Sequence, residues 1–171
     1  MKPVALMCVA LALVAITGCN ESAHSGGHSG PPPAPPQEID NFALVDSYGV
    51  DSGVSRDVPL ELDPYLYDGI FEIYWDVTRG GGYDFFLSVS PTADINNSVT
   101  VYSEYCGPGE ICGVSGYAIC QYTADFTLGC SDQAAMDVYD VFYEVPQTLH
   151  FFAETCGIDG CAYRRLPVTM F

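Results

Sequence analysis

The chain has 171 residues, of which 22 are acidic and five basic, giving a formal charge of −17. A surface of that sign repels nucleic acid and anionic lipid, which excludes a nucleic-acid-binding role and leaves cations or basic proteins as the species it attracts. Setting aside an N-terminal targeting segment, about 153 residues remain, the length of one domain.

The first 18 residues have the form of that targeting segment. Lys2 supplies a positive start, Val4 to Ile16 is apolar and uncharged, and Thr17-Gly18 are small residues ahead of Cys19. Such a run is short for a membrane-spanning helix and fits the apolar region of a signal peptide. The tetrapeptide Ile16-Thr17-Gly18-Cys19 resembles the lipobox of bacterial lipoprotein precursors, with Ile16 where leucine is usual. The resemblance implies cleavage before Cys19, acylation of Cys19, and a membrane anchor made of lipid. Cys8 fits that role poorly, because Met7 precedes it and the apolar run continues past it. Each buried methylene contributes about 0.8 kcal/mol, so several acyl chains on one cysteine hold far better than one. Asn20 follows the cysteine. In enteric-type lipoproteins an aspartate there signals inner-membrane retention, so the resemblance implies the outer membrane, facing the periplasm or the cell surface.

Cleavage also removes Lys2, the only lysine, leaving four arginines against 22 acidic residues, a formal charge of −18. The acids are spread along the chain, as on a solubilising surface. Residues 19–40 read as a lipidated tether. They contain Ser-Gly-Gly-His-Ser-Gly and then Pro31 to Pro36, a flexible coil followed by a stiff spacer of about 3.1 Å per residue. His24 and His28 fall within the coil, where nothing fixes them on one face for a metal.

Residues 41–171 read as the folded domain, with a period of two rather than 3.6 from about Phe42. Phe71, Ile73, Trp75 and Val77 alternate with Glu72, Tyr74 and Asp76. After Thr78 to Gly82, Tyr83, Phe85, Leu87 and Val89 form another apolar face, and the two runs read as a hairpin with a glycine-rich loop. Further alternating runs cover 98–105, 114–122, 124–129, 136–145, 148–155 and 162–171. Residues 132–139 are the one weak helix candidate. Short strands with turn signals every 8 to 12 residues or so predict an all-β fold, an antiparallel β-sandwich of about seven to nine strands, with a small closed barrel as second choice. Trp75 in an early strand, followed by aromatic alternation, is similar to the core of immunoglobulin-like and fibronectin-III-like sandwiches, although no domain cysteine precedes it to form their cross-sheet pair.

Six cysteines lie in the domain: Cys106, Cys112, Cys120, Cys130, Cys156 and Cys161. An even number in a small exported domain favours three disulfides. Six cysteines allow 15 pairings. Short glycine-bearing loops favour Cys106 with Cys112 and Cys156 with Cys161, leaving Cys120 with Cys130 across a hairpin. Zinc is the weaker reading, since the Cys156/Cys161 pair has a single domain histidine, His150, to join it.

No catalytic set emerges. His150 shares a strand phase with Phe152 and Glu154 and reads as an outer-face residue; no G-x-S-x-G, H-E-x-x-H or phosphate loop is present, and Gly80-Gly81-Gly82 reads as a hairpin tip. Calcium is conceivable at Asp94-Ile-Asn-Asn97 or around Asp57, Glu61, Asp63 and Asp68, but neither follows the EF-hand spacing. The expectation is therefore no metal and no cofactor. Twelve tyrosines are unusually many. Tyr74, Phe86, Tyr102, Tyr139, Tyr143 and Phe152 fall on phases read as outward, either as a binding surface for protein or sugar or as positions covered by the 46–68 segment. The sequence thus points to a non-catalytic envelope lipoprotein with an acidic binding domain for a protein or polysaccharide ligand. An inhibitor of a basic, lysozyme-like enzyme is the second reading, and a hydrolase the third.

Overall fold

The computed structural model describes residues 37–53, 59–78, 81–107, 112–142 and 144–171. Cys8, Cys19, His24, His28, Arg56, Asp57, Arg79, Gly80 and Tyr143 lie outside the described residues.

Ten strands form two five-stranded sheets packed face to face, a β-sandwich. In chain order they are β1 (Ile39–Val45), β2 (Leu60–Leu62), β3 (Ile70–Val77), β4 (Tyr83–Ser90), β5 (Val99–Cys106), β6 (Ser115–Tyr122), β7 (Thr127–Cys130), β8 (Met136–Asp137), β9 (Gln147–Gly157) and β10 (Gly160–Met170). The first sheet runs β1-β3-β6-β7-β8 and the second β2-β10-β9-β4-β5. Every pairing is antiparallel except β2 with β10, so the second sheet is mixed.

The apolar alternation of β3 and β4 sets the core. Phe71, Ile73, Trp75 and Val77 are buried from one side, and Tyr83, Phe85, Leu87 and Val89 from the other. The two strands are not a hairpin, contrary to the sequence expectation: they belong to opposite sheets. Alternation says which face is apolar but not whether a partner strand lies beside it or across from it. Here the faces meet across the interior, where the Trp75 ring stacks on Phe85 with centroids 3.7 Å apart and the Trp75 Nε1–H donates to the Tyr83 hydroxyl at 3.2 Å. On its other side the ring lies over Gly116, the residue opposite it on β6. A Cβ on Gly116 would sit 1.9 Å from Trp75 Cε2, so only glycine leaves room for the indole.

A buried carboxylate ties the first strand to the second. Asp46 Oδ1 accepts from the backbone N–H of Tyr48 and Val50 at 2.9 and 2.8 Å, and its Oδ2 accepts from Glu61 N–H at 2.8 Å. This is how the chain after β1 turns and delivers β2 to the parallel edge of β10. The free edge of β5 is closed differently. The Gln133 side chain accepts from Ser103 N–H at 3.3 Å and donates to Ser103 C=O at 2.5 Å, taking the place of a neighbouring strand.

The cysteines pair as the loop spacing predicts: Cys106–Cys112, Cys120–Cys130 and Cys156–Cys161. Cys120 and Cys130 stand directly opposite on β6 and β7, and Cys156 and Cys161 on β9 and β10.

Several sequence expectations need correction. Among the described residues strands number ten, and two of them, β1 and the three-residue β2, add to the alternating runs read from the sequence. β1 also starts at Ile39, inside the stretch read as tether. The run from 136 to 145 yields only the two-residue β8 before a 3-10 turn at Tyr139–Val141, and no α-helix forms around 132–139. Tyr102 and Phe152, read as outward, are buried. For Tyr102 the cause is a bulge: Leu87 pairs with Tyr102 but Ser88 with Thr100, so Val101 is the extra residue and the phase of β5 inverts. Tyr102 then joins the interior, edge-on to Phe85. Phe152 keeps its outward phase but lies between Arg165 and Ser88 in register. Arg165 spans from β10 to the Ala93 carbonyl beyond β4, and the Tyr163 ring packs edge-on against Phe152.

Candidate functional site: the tyrosine face of the first sheet

With β3's apolar residues turned inward, its intervening residues Ile70, Glu72, Tyr74 and Asp76 point to solvent. On β6 the small or apolar Gly116, Ala118, Cys120 and Tyr122 fill the interior, which turns Ser115, Tyr117, Ile119 and Gln121 outward. Antiparallel register makes these cross-strand neighbours: Asp76 with Ser115, Tyr74 with Tyr117, Glu72 with Ile119 and Ile70 with Gln121. Four large apolar side chains thereby share one face while remaining accessible, at 44 % (Ile70), 37 % (Tyr74), 45 % (Tyr117) and 50 % (Ile119).

The rings of Tyr74 and Tyr117 lie 4.9 Å apart, tilted by 39°. The Tyr74 hydroxyl donates to the Glu72 carboxylate. That hydrogen bond first, then partial desolvation and the Glu72 charge, push the Tyr74 phenol up to about 12. The Tyr117 phenol is also raised, by desolvation and by the same carboxylate. Glu72 thus contributes to raising both phenols. The frame around them is fixed. Asp76 accepts from Ser115 Oγ at 2.6 Å and from Asn41 Nδ2 at 3.4 Å, and Gln121 Nε2 donates to the Asp68 carbonyl at 2.8 Å.

Next to Ile70 and Glu72 the face opens into a shallow cleft of about 550 Å³, bordered by Tyr48, Tyr67 and Asp68. Tyr67, Asp68 and Gly69 all have left-handed backbone, with φ of 49°, 57° and 68°. For the two non-glycine residues this costs roughly 1–2 kcal/mol each. Gly69 is fixed by sterics as well, since a Cβ there would lie 1.8 Å from the Tyr122 carbonyl oxygen. The strained turn leaves Tyr67 largely exposed at the rim of the face.

Other expected site residues do not assemble into chemistry. His150 is half-buried rather than plainly outer. Its pKa is lowered by burial and then by Arg165, and its Nδ1 is enclosed without a hydrogen-bond partner. The residue opposite it on β4 is Ser90, but Ser90 is fully buried and its hydroxyl engages Thr92 at 3.3 Å. Asp94 spends its oxygens on its own loop, accepting from Asn96 N–H, Asn96 Nδ2 and Asn97 Nδ2, as an Asx turn does. Asp63 likewise accepts from Tyr65 N–H at 2.8 Å. Two clusters have metal-ligand composition, Glu104 with Cys106 and Cys112, and Glu154 with Cys156 and Cys161, but their sulfurs are held in disulfides. A concavity of about 860 Å³ lies between β1 and β10, where Arg164 Nε donates to the Ile39 carbonyl at 2.9 Å. Among the described residues no helix is long and apolar enough to cross a membrane.

Of the aromatics expected outside, Tyr74 and Tyr139 are exposed and Phe86 is half-buried. Sequence reasoning missed Tyr117 as the partner of Tyr74. The signal was present in the alternation of Gly116, Ala118, Cys120 and Tyr122, whose small members do not look like a core face until Trp75 lies over them.

No family model matches the sequence, and no curated protein matches it. Among solved structures the chain is similar to a superoxide reductase (neelaredoxin) from Ignicoccus hospitalis, with a TM-score of 0.42 and 8 % identity over 79 % of this chain and 83 % of that one. A likeness of that size carries no reading of activity.

Proposed function

We propose that the chain is a non-catalytic envelope lipoprotein, anchored through acylated Cys19 in the outer membrane, whose acidic sandwich binds a protein or polysaccharide through the outer face of its first sheet. The observation that carries the reading is the cross-strand Tyr74–Tyr117 pair, flanked by exposed Ile70 and Ile119. Contiguous accessible apolar side chains rimmed by polar ones are the mark of an interaction surface.

Two measurements test the proposal. Mass spectrometry of the protein extracted from membranes should find Cys19 as an acylated N-terminus; an unmodified N-terminus upstream of it refutes the anchor. Retention of the full chain on immobilised envelope material should fall when Tyr74 and Tyr117 are both replaced by serine. Unchanged retention by that folded double variant refutes the binding face.

A further inference from the structure

We infer that the tyrosine face docks the arginine side chains of a cationic protein surface. The inference rests on the binding-face reading above and names its partner.

Charge complementarity comes first. The outward residues of this face and its rim include Glu72, Asp76 and Asp68, and among the described residues the arginines are Arg164 and Arg165, both on β10 of the opposite sheet. No lysine follows Lys2 in the sequence. Among the described residues the face therefore carries negative charge with no basic residue of its own.

Geometry then selects the cation. The two rings are 4.9 Å apart, too close for a cation to sit between them, so a ligand must lie over their exposed surfaces. A planar, weakly hydrated guanidinium stacks on a tyrosine face, whereas an ammonium is a compact and strongly hydrated point charge. Glu72 lies two residues before Tyr74 on the same strand and opposite Ile119 on the next. From there its carboxylate can accept the fork of N–H groups of an arginine whose stem runs over the rings. Ile70 and Ile119 give apolar contact to the methylenes of that stem, which long basic side chains bury readily. A neutral sugar would gain the stacking but leave the Glu72 charge unmatched.

The test uses the full chain in detergent micelles, with fluorescently labelled oligo-arginine, oligo-lysine of equal length, and soluble peptidoglycan fragments as probes. Oligo-arginine should bind more tightly than oligo-lysine. Tyr117→Ser and Glu72→Gln should each weaken it about five- to tenfold. Asp84→Asn, which removes an exposed acid from β4 on the other sheet, should change it less than twofold or so. Buried Trp75 fluorescence verifies that each variant is folded. If Asp84→Asn weakens binding as much as Glu72→Gln, or oligo-lysine binds as well as oligo-arginine, the attraction is the general field of the protein and the inference fails. If peptidoglycan fragments bind in a Tyr74- and Tyr117-dependent way while oligo-arginine does not, the arginine inference falls and the binding face stands. If no probe responds to either tyrosine substitution, both fall.

Discussion

Replacing Asp46 by alanine should cost the domain about 3–5 kcal/mol. The side chain is 4 % exposed and accepts three backbone N–H groups, from Tyr48, Val50 and Glu61. A hydrogen bond to a charged group contributes about 1.5–3 kcal/mol, and a buried donor left without a partner costs about 1–3 kcal/mol. The three donors lie in part-buried positions and share one acceptor group, so the losses do not add fully. Asp46→Asn should cost less, about 2 kcal/mol, since its amide oxygen can still serve Tyr48 and Val50 while its NH₂ meets the Glu61 N–H, donor against donor. The assay is urea unfolding followed by the fluorescence of Trp75, the sole tryptophan and fully buried. With a slope of about 2 kcal/mol/M, a loss of 4 kcal/mol lowers the midpoint by about 2 M. A shift below about 0.5 M for Asp46→Ala, or equal shifts for the two variants, would refute the view that this carboxylate holds the β1–β2 connection.

Gly116→Ala should destabilise by about 3 kcal/mol or more, beyond ordinary overpacking, because the new methyl would overlap the Trp75 ring and Phe85 blocks its retreat; Gly81→Ala, with open space around it, is the control and should be near neutral by the same urea assay. Alkaline pH should unfold the protein early. Tyr74 and Tyr122 are pushed up to about 12, the latter by burial first and then by the charges of Tyr65 and Asp63, and burial raises Tyr83 and Tyr102 as well. A phenol raised in the folded state keeps its proton longer than in the unfolded chain, so its contribution is intact below the ordinary value of 10.0 and is lost as the pH climbs through about 12. Urea midpoints should therefore fall from about pH 10 upward, and tyrosinate absorbance should show these phenols titrating above the ordinary value; their titration at the ordinary value in the folded protein would contradict the burial of Tyr83, Tyr102 and Tyr122.

The fold was legible where local pattern and structure share a cause. Strict alternation in Phe71 to Val77 and in Tyr83 to Val89 identified two core faces, because the pleat of a strand is a property of the strand itself. The disulfides were legible because each closes a short loop or joins directly opposed residues. Illegible features depend on something distant or on a break in phase. The register shift between Ile39 and Asn41 spoils the alternation of β1. The three-residue β2 exists only because Asp46 and β10 hold it. Tyr102 changed faces through the extra residue Val101, and Phe152 was covered by an arginine from another strand. The tyrosine face was half legible, since Tyr74 followed from β3 alone while Tyr117 needed the pairing of β6 with β3.

The Gln133 amide clasped to Ser103 has a bearing on how the domain meets copies of itself. A bare ladder of amides along β5 would invite a strand from a neighbouring copy to zip onto it. A side chain that mimics one rung of a strand closes that route, yet it ends after one residue and so cannot itself propagate. Such a plug works against edge-to-edge pairing through β5 and does not touch the tyrosine face, which belongs to the other sheet.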